Sequence, residues 1–172
     1  FRIARKILDR VEDSGTGEVL VPEMHVEITQ DLKEKAESLA AVVGESLWKQ
    51  LPTVDSLTPV SPRVSDMILG MNWQPSMCVI GADGLPSVQV AGNVLRTNTD
   101  LKLSFRIPPG VEAESLEPIL KELLESDPPY GAEVSFVPDS SANGFHSPPL
   151  VGEVKRAISE AATHFTNSPP MA

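Results

Sequence analysis

Residues 101–110, LKLSFRIPPG, alternate apolar and polar side chains. Four apolar residues recur at every second position, and Lys102, Ser104 and Arg106 stand between them. An alternation of period two predicts a strand that is buried on one face and exposed on the other. The stretch therefore predicts a sheet with an apolar inner face and an outer face that carries the guanidinium of Arg106.

The segment before this strand predicts its partner. Residues 88–94 also alternate, and the polar stretch 97–100 lies between the two segments, which together predict a β-hairpin. A turn over 97–100 would place Asn93 opposite Ser104 and make Arg106 its diagonal neighbour on the same face. The same register would direct Val90 and Val94 to the core.

Other segments predict the remaining elements. Helical spacing of apolar residues predicts a first helix that ends at DSGTG (13–17), a second helix capped by Thr29, a third over 116–124 and a last one over 150–165. Pro118 is compatible with the third helix only in or near its first turn. Residues 44–75 predict irregular structure and short helices, whereas 76–84 and 132–138 predict strands. This order predicts an α+β sandwich with a mostly antiparallel sheet and helices on one face.

Composition excludes several classes of function. The 172 residues carry a formal net charge of -10 without a separate basic block, which argues against nucleic-acid binding. No apolar run reaches the roughly 18 residues of a membrane span, and the first ten residues do not have the pattern of a signal peptide. The single cysteine, Cys78, lies in the apolar run MCVI, so we expect a packed thiol and a reducing, cytoplasmic location.

The residues that often carry catalysis form no recognisable motif. His25, His146 and His164 belong to no metal-binding spacing, and we expect surface histidines without a catalytic role. The glycines of GADG and GTG are typical of turns rather than of a phosphate loop. The sequence therefore predicts no catalytic residue and no metal ligand in this chain.

Arg106 and Asn93 are the candidate binding residues. A planar guanidinium beside an amide on a rigid strand suits a carboxylate, because the two groups can donate several hydrogen bonds to it. The alternative is a solvated sheet face on which Arg106 pairs with a nearby glutamate, and pattern alone favours that alternative.

Several ordered motifs resemble one enzyme family. NWQPSMCVIGADG (72–84), GNVLRTNTDLKLSFRIPPGVEAESLEPILKELLE (92–125) and PPYGAEVSF (128–136) resemble the lid, or dimerisation, domain of the two-zinc metallopeptidases. That family includes carnosinase-like dipeptidases, glutamate carboxypeptidase and succinyl-diaminopimelate desuccinylase. RIARKILDRVEDSGTGEVLVPEM (2–24) is similar to the first lid helix and the following segment of the dipeptidase branch. In the motif GNVLR (92–96), Arg96 stands where the family usually has proline.

The resemblance implies a ferredoxin-like two-layer sandwich divided into three parts. Residues 1–28 and 76–148 would form the lid core, 29–75 an insert within the lid, and 149–172 a helix and tail that return toward a catalytic domain. The family's metal-ligand motifs and its first lid strand do not occur in this sequence. Two zinc ions would belong to the parent enzyme and none to this chain, which we expect to be inactive alone.

The resemblance also implies a function. Asn93 and Arg106 match the family's binding residues for the substrate carboxylate, the substrate of the parent would be a peptide or N-acyl amino acid, and the lid would form a homodimer. The alternative function is a stand-alone α+β binding or oligomerisation module whose polar sheet face is only solvated.

Overall fold

The computed structural model describes residues 1–148 and 150–166, so Pro149 and the predicted tail 167–172 lie outside the described residues. The described part of the chain combines helices with an antiparallel pair of strands, which confirms the predicted α+β class. The helices are α1 (Arg2–Leu8), α2 (Gln30–Val43), α3 (Ser46–Lys49), α4 (Val64–Trp73), α5 (Ala113–Glu125) and α6 (Gly152–Thr166), and the strands are β1 (Ser76–Asp83) and β2 (Asp100–Arg106).

The helix starts and stops follow the local sequence. Thr29 caps α2 as predicted, because its hydroxyl accepts a hydrogen bond from the backbone N–H of Leu32. After α1 the chain turns at Asp13, whose carboxylate accepts hydrogen bonds from the backbone N–H groups of Gly15 and Thr16. The Thr16 hydroxyl donates to the same oxygen, and these bonds hold the pKa of Asp13 below its ordinary value.

The predicted hairpin between residues 88–94 and β2 is wrong. The strand that pairs with β2 is β1, in an antiparallel register that places Ser76 opposite Arg106 and Cys78 opposite Ser104. Ile80 is the extra residue of an irregularity in this ladder. Residues 88–94 lie instead in the connection between the strands, and Val90 and Val94 are exposed rather than buried.

The predicted strand over 132–138 keeps the burial pattern of a strand but not its pairing. Ala132, Val134 and Phe136 are half-buried and alternate with exposed residues, and Val134 and Phe136 pack against the core. Within the described residues this segment joins no ladder. Its position is fixed in another way, since the backbone N–H of Phe136 donates to the Glu125 carboxylate at 2.7 Å.

The core lies between the helices and the inner face of the sheet. Met77 of β1 is buried, and Leu103 and Phe105 of β2 pack against the same cluster. The remaining buried members come from α1, from the segment that follows it and from α5 with its N-terminal approach: Ile7, Val11, Val19, Val21, Met24, Val111, Leu116, Leu120 and Leu124. Burial of each such side chain contributes roughly 1.5–3 kcal/mol to the free energy of folding. Because the core covers the inner face of the sheet, the opposite face is left toward solvent.

The predicted insert and the last helix pack differently. Within 29–75, α2 packs against α4, with Ala36 and Ile68 buried. The last helix is confirmed as α6, but the described part of it has no buried residue. No helix in the described ranges is both long and apolar enough to cross a membrane.

Candidate functional site

The outer face of the two-stranded sheet carries the candidate site. Directly opposed residues of an antiparallel pair point to the same face, with Cβ atoms about 4.5–5.5 Å apart. Ser76, Cys78, Ser104 and Arg106 therefore share one face, with Ser76 directly opposite Arg106. The apolar alternation that buries Met77 and Phe105 on the inner face forces these four residues outward.

Arg106 presents an unpaired charge on this face. The side chain is exposed, and within residues 1–148 and 150–166 its guanidinium forms no ion pair or hydrogen bond. The expected alternative, a glutamate paired with Arg106, is therefore not what the described residues show. An unpaired guanidinium has five N–H donors available for an anionic ligand. Arg106 is thus an unpaired cation in a chain whose formal net charge is -10.

A second cation on this strand is already neutralised. The Lys102 ammonium forms an ion pair with Asp139 at 2.6 Å. The hydrogen bond from Lys102 holds the pKa of Asp139 below its ordinary value, so the carboxylate stays charged in mildly acidic solution. Arg106 is thus the β2 cation that remains available.

Asn93 does not have the predicted position. It lies in the connection between β1 and β2, is exposed, and has no partner in the β-ladder. Cys78 takes the place opposite Ser104 that the sequence assigned to Asn93. The structure therefore places Arg106 on the outer sheet face without the predicted strand neighbour.

Cys78 and Ser76 were not identified as site residues from the sequence. Cys78 is exposed, contrary to the expected packed thiol, because Met77 and not Cys78 occupies the buried position of β1. Both residues could be placed on the outer face only once β1, rather than 88–94, is paired with β2 and Met77 is assigned to the core.

The histidines and acids of the described residues do not fit a zinc ion. No group of three His, Cys, Asp or Glu side chains in this part of the chain has the geometry of a metal site. The Nε2 atom of His25 lies 2.7 Å from the Val19 carbonyl oxygen, and His146 and His164 make edge contacts with Trp73 and Phe165.

The fold is that of one part of known dipeptidases and metallo-carboxypeptidases. The dipeptidase Dug1p from Saccharomyces cerevisiae matches 73% of this chain with 22% identity and a TM-score of 0.53. Human carnosine dipeptidase 1 matches 72% with 19% identity and a TM-score of 0.54. The M20 family metallo-carboxypeptidase Sso-CP2 from Sulfolobus solfataricus matches 99% with 17% identity and a TM-score of 0.57.

This chain spans only part of those proteins, covering 26% of each of the two dipeptidases and 38% of Sso-CP2. No protein-family model matches the sequence, and no curated protein matches it. The resemblance inferred from the sequence motifs is confirmed as a likeness of fold to these peptidases.

Proposed function

We propose that this chain is the lid and dimerisation part of a zinc-dependent dipeptidase or carboxypeptidase, in which it binds the substrate carboxylate. The observation that carries the proposal is an unpaired Arg106 on the outer sheet face of a fold shared with three such peptidases. In this proposal the lid has the ferredoxin-like arrangement, with its core in residues 1–28 and 76–148 and an insert in 29–75. Residues 149–172 then lead toward the catalytic domain.

Arg106 suits a carboxylate for geometric reasons. Its planar fork can donate two parallel hydrogen bonds to the two carboxylate oxygens, which fixes both the position and the orientation of the substrate end. Orientation of this kind lowers the entropic part of a barrier, because the reacting amide is then held in one place relative to the catalytic groups. The substrate would be a peptide or an N-acyl amino acid.

Asn93 adds an amide donor from the connection between the strands. Since this connection spans residues 84–99 and exposes Val88 and Leu95 by 90% and 99%, little packing opposes its movement. In our proposal it folds over the bound carboxylate and brings Asn93 toward Arg106. Loops of this length in a compact domain commonly serve binding.

Hydrolysis would be carried out by residues beyond this chain. Because the described histidines and acids do not fit zinc, the two zinc ions of the parent enzyme would be held by its catalytic domain. The present chain would contribute substrate binding and dimer contacts, and would be inactive alone. A cytoplasmic location completes the proposal, since an exposed free thiol such as Cys78 persists most readily in a reducing compartment.

The complete gene provides the test. We expect the sequence that flanks these residues to encode metal-ligand motifs, and the complete protein to hydrolyse dipeptides when loaded with zinc. Arg106→Ala should lower kcat/KM. The decrease should correspond to a loss of about 1.5–3 kcal/mol of transition-state stabilisation, the size of a lost hydrogen bond to a charged group. Lys102→Ala is the matched control, because it removes a cation of the same strand that is already paired with Asp139.

The alternative function gives different results. A stand-alone binding or oligomerisation module would have stop codons directly beside these residues, or no peptidase activity in the complete protein. Unchanged kinetics in the Arg106→Ala enzyme would contradict the carboxylate site while leaving the peptidase relationship intact.

A further inference from the structure

The corrected strand register gives Arg106 a different neighbour from the one that the sequence predicted. Ser76 lies directly opposite Arg106 on the same outer face. The predicted hairpin would instead have made Asn93 the diagonal neighbour of Arg106. Opposed residues of an antiparallel pair are the closest side chains of two strands. A ligand held by Arg106 is therefore within reach of the residue at position 76.

Ser76 is available to bind a ligand. The residue is half-buried, and within the described ranges its hydroxyl makes no hydrogen bond to the protein. A hydroxyl can donate to one carboxylate oxygen while the guanidinium binds both. By contrast, Cys78 offers only a weak thiol donor and lies two pairs further along the ladder, opposite Ser104.

The backbone that carries Ser76 and Arg106 is restricted by neighbouring prolines. Buried Pro75 directly precedes Ser76, and buried Pro108 follows two residues after Arg106. The proline rings restrict the backbone on both sides of the pair. Groups that are ordered before binding lose less conformational entropy when a ligand arrives.

We infer that Ser76 is a second carboxylate-binding residue, whose hydroxyl donates a hydrogen bond to the carboxylate that the Arg106 guanidinium holds. This inference rests on the proposed function and extends it. It names the chemical class of the ligand as a small carboxylate, such as the C-terminal group of a peptide or of an N-acyl amino acid. It also assigns to β1 a part of the site that the sequence assigned to Asn93.

Nuclear magnetic resonance titration of the 172-residue chain tests the inference. N-acetylglycine should produce saturable shifts at Ser76 and Arg106, whereas the neutral N-acetylglycinamide should not. Ser76→Ala should raise the Kd for N-acetylglycine about three- to tenfold, the effect of losing one hydrogen bond of ordinary strength on a solvent-accessible surface. Ser76→Thr keeps the hydroxyl and should restore the affinity, and Ser56→Ala, at an exposed serine elsewhere, is the matched control.

The outcomes separate this inference from the proposed function. If Arg106→Ala abolishes binding while Ser76→Ala leaves the Kd unchanged, the role of Ser76 is wrong and the carboxylate site at Arg106 stands. If the unaltered chain shows no saturable shift with N-acetylglycine, the role of Ser76 and the carboxylate site at Arg106 are both wrong, while the peptidase relationship is tested separately by the flanking sequence. Tighter binding of inorganic phosphate than of N-acetylglycine would overturn the assignment to a carboxylate. Slower alkylation of Cys78 in the presence of N-acetylglycine would independently support occupation of this face.

Discussion

Arg10 closes the C-terminal end of α5 from a position more than 100 residues away in the sequence. Its guanidinium donates to the carbonyl oxygens of Leu123, Ser126 and Asp127, which have no partner within the helix. We expect Arg10→Ala to lower the free energy of unfolding by about 2–3 kcal/mol, because several hydrogen bonds from a charged group are lost together. Urea denaturation measures this change.

The control for Arg10 lies in α1, which directly precedes the turn that contains Arg10. Arg5 is exposed, and its side chain has no hydrogen bond or ion pair in the part of the chain that the structure describes. Arg5→Ala should change stability by less than about 0.5 kcal/mol. Equal effects of the two substitutions would show that the cap at α5 does not stabilise the fold.

Glu125 makes the stability of the fold depend on pH. The hydrogen bonds from Lys121 and from the backbone N–H of Phe136 hold the pKa of Glu125 below its ordinary value. A lowered folded-state pKa gives a stabilisation that is fully present above the unfolded-state pKa, about 4.3 for glutamate, and is lost as the pH falls through the folded-state pKa. Denaturation midpoints from pH 7 to pH 3 should therefore fall less steeply in Glu125→Gln, and parallel curves would contradict this contribution.

The candidate site shows what a residue pattern can and cannot predict. The alternation around Arg106 correctly predicted that its side chain points outward, because the neighbouring Phe105 packs against the core. The partner of Arg106 was not predictable in the same way. Which strand lies alongside β2 depends on contacts between distant segments, and those contacts decide whether Ser76 or Asn93 is the neighbour.

At the scale of elements, α5 tolerates a proline where the sequence argument did not allow one. Pro118 is the sixth residue of α5 and lies in its second turn, where the missing N–H would have bonded to the carbonyl of Glu114. The buried apolar face of α5 offsets this loss. Pro118→Ala should therefore raise the free energy of unfolding by about 1–3 kcal/mol in urea denaturation.

A neighbouring substitution distinguishes this effect from general helix propensity. Glu122→Ala lies on the same exposed side of α5 and should change stability by less than about 0.5 kcal/mol. If Pro118→Ala is neutral or destabilising, the proline does not strain the helix.

Helices were predicted more accurately than strand pairs for a physical reason. The spacing that defines α2, α5 and α6 is local, so each helix could be located from a short window of sequence. Residues 76–83, with an apolar run, and residues 88–94, with an alternating pattern, both resemble strands, and neither pattern specifies a partner. Met77 reaches the core beside α5, whereas Gly92 weakens strand formation in the competing segment 88–94, which stays in the connection.

At the scale of the whole molecule, charge and apolar surface oppose each other. Each copy carries a formal net charge of -10, and the resulting repulsion weakens association at low ionic strength. Against this, β1 exposes Ile80, and α6 exposes Val154 and Ile158 by 44% and 41%. The unpaired edges of the strands in a small sheet also favour pairing with a strand of another chain.

We expect the apolar surface to prevail at moderate salt, where the Debye length shrinks to about 10 Å and the repulsion between copies is screened. Sedimentation velocity should show a dimer that becomes more populated as salt and protein concentration rise. Ile80→Lys should weaken a dimer formed through the edge of β1, and Ile158→Asp one formed through α6, whereas Val88→Lys, in the exposed connection, is the control. A chain that stays monomeric at all salt and protein concentrations would contradict self-association, and a dimer that only Ile158→Asp weakens would assign the contact to α6.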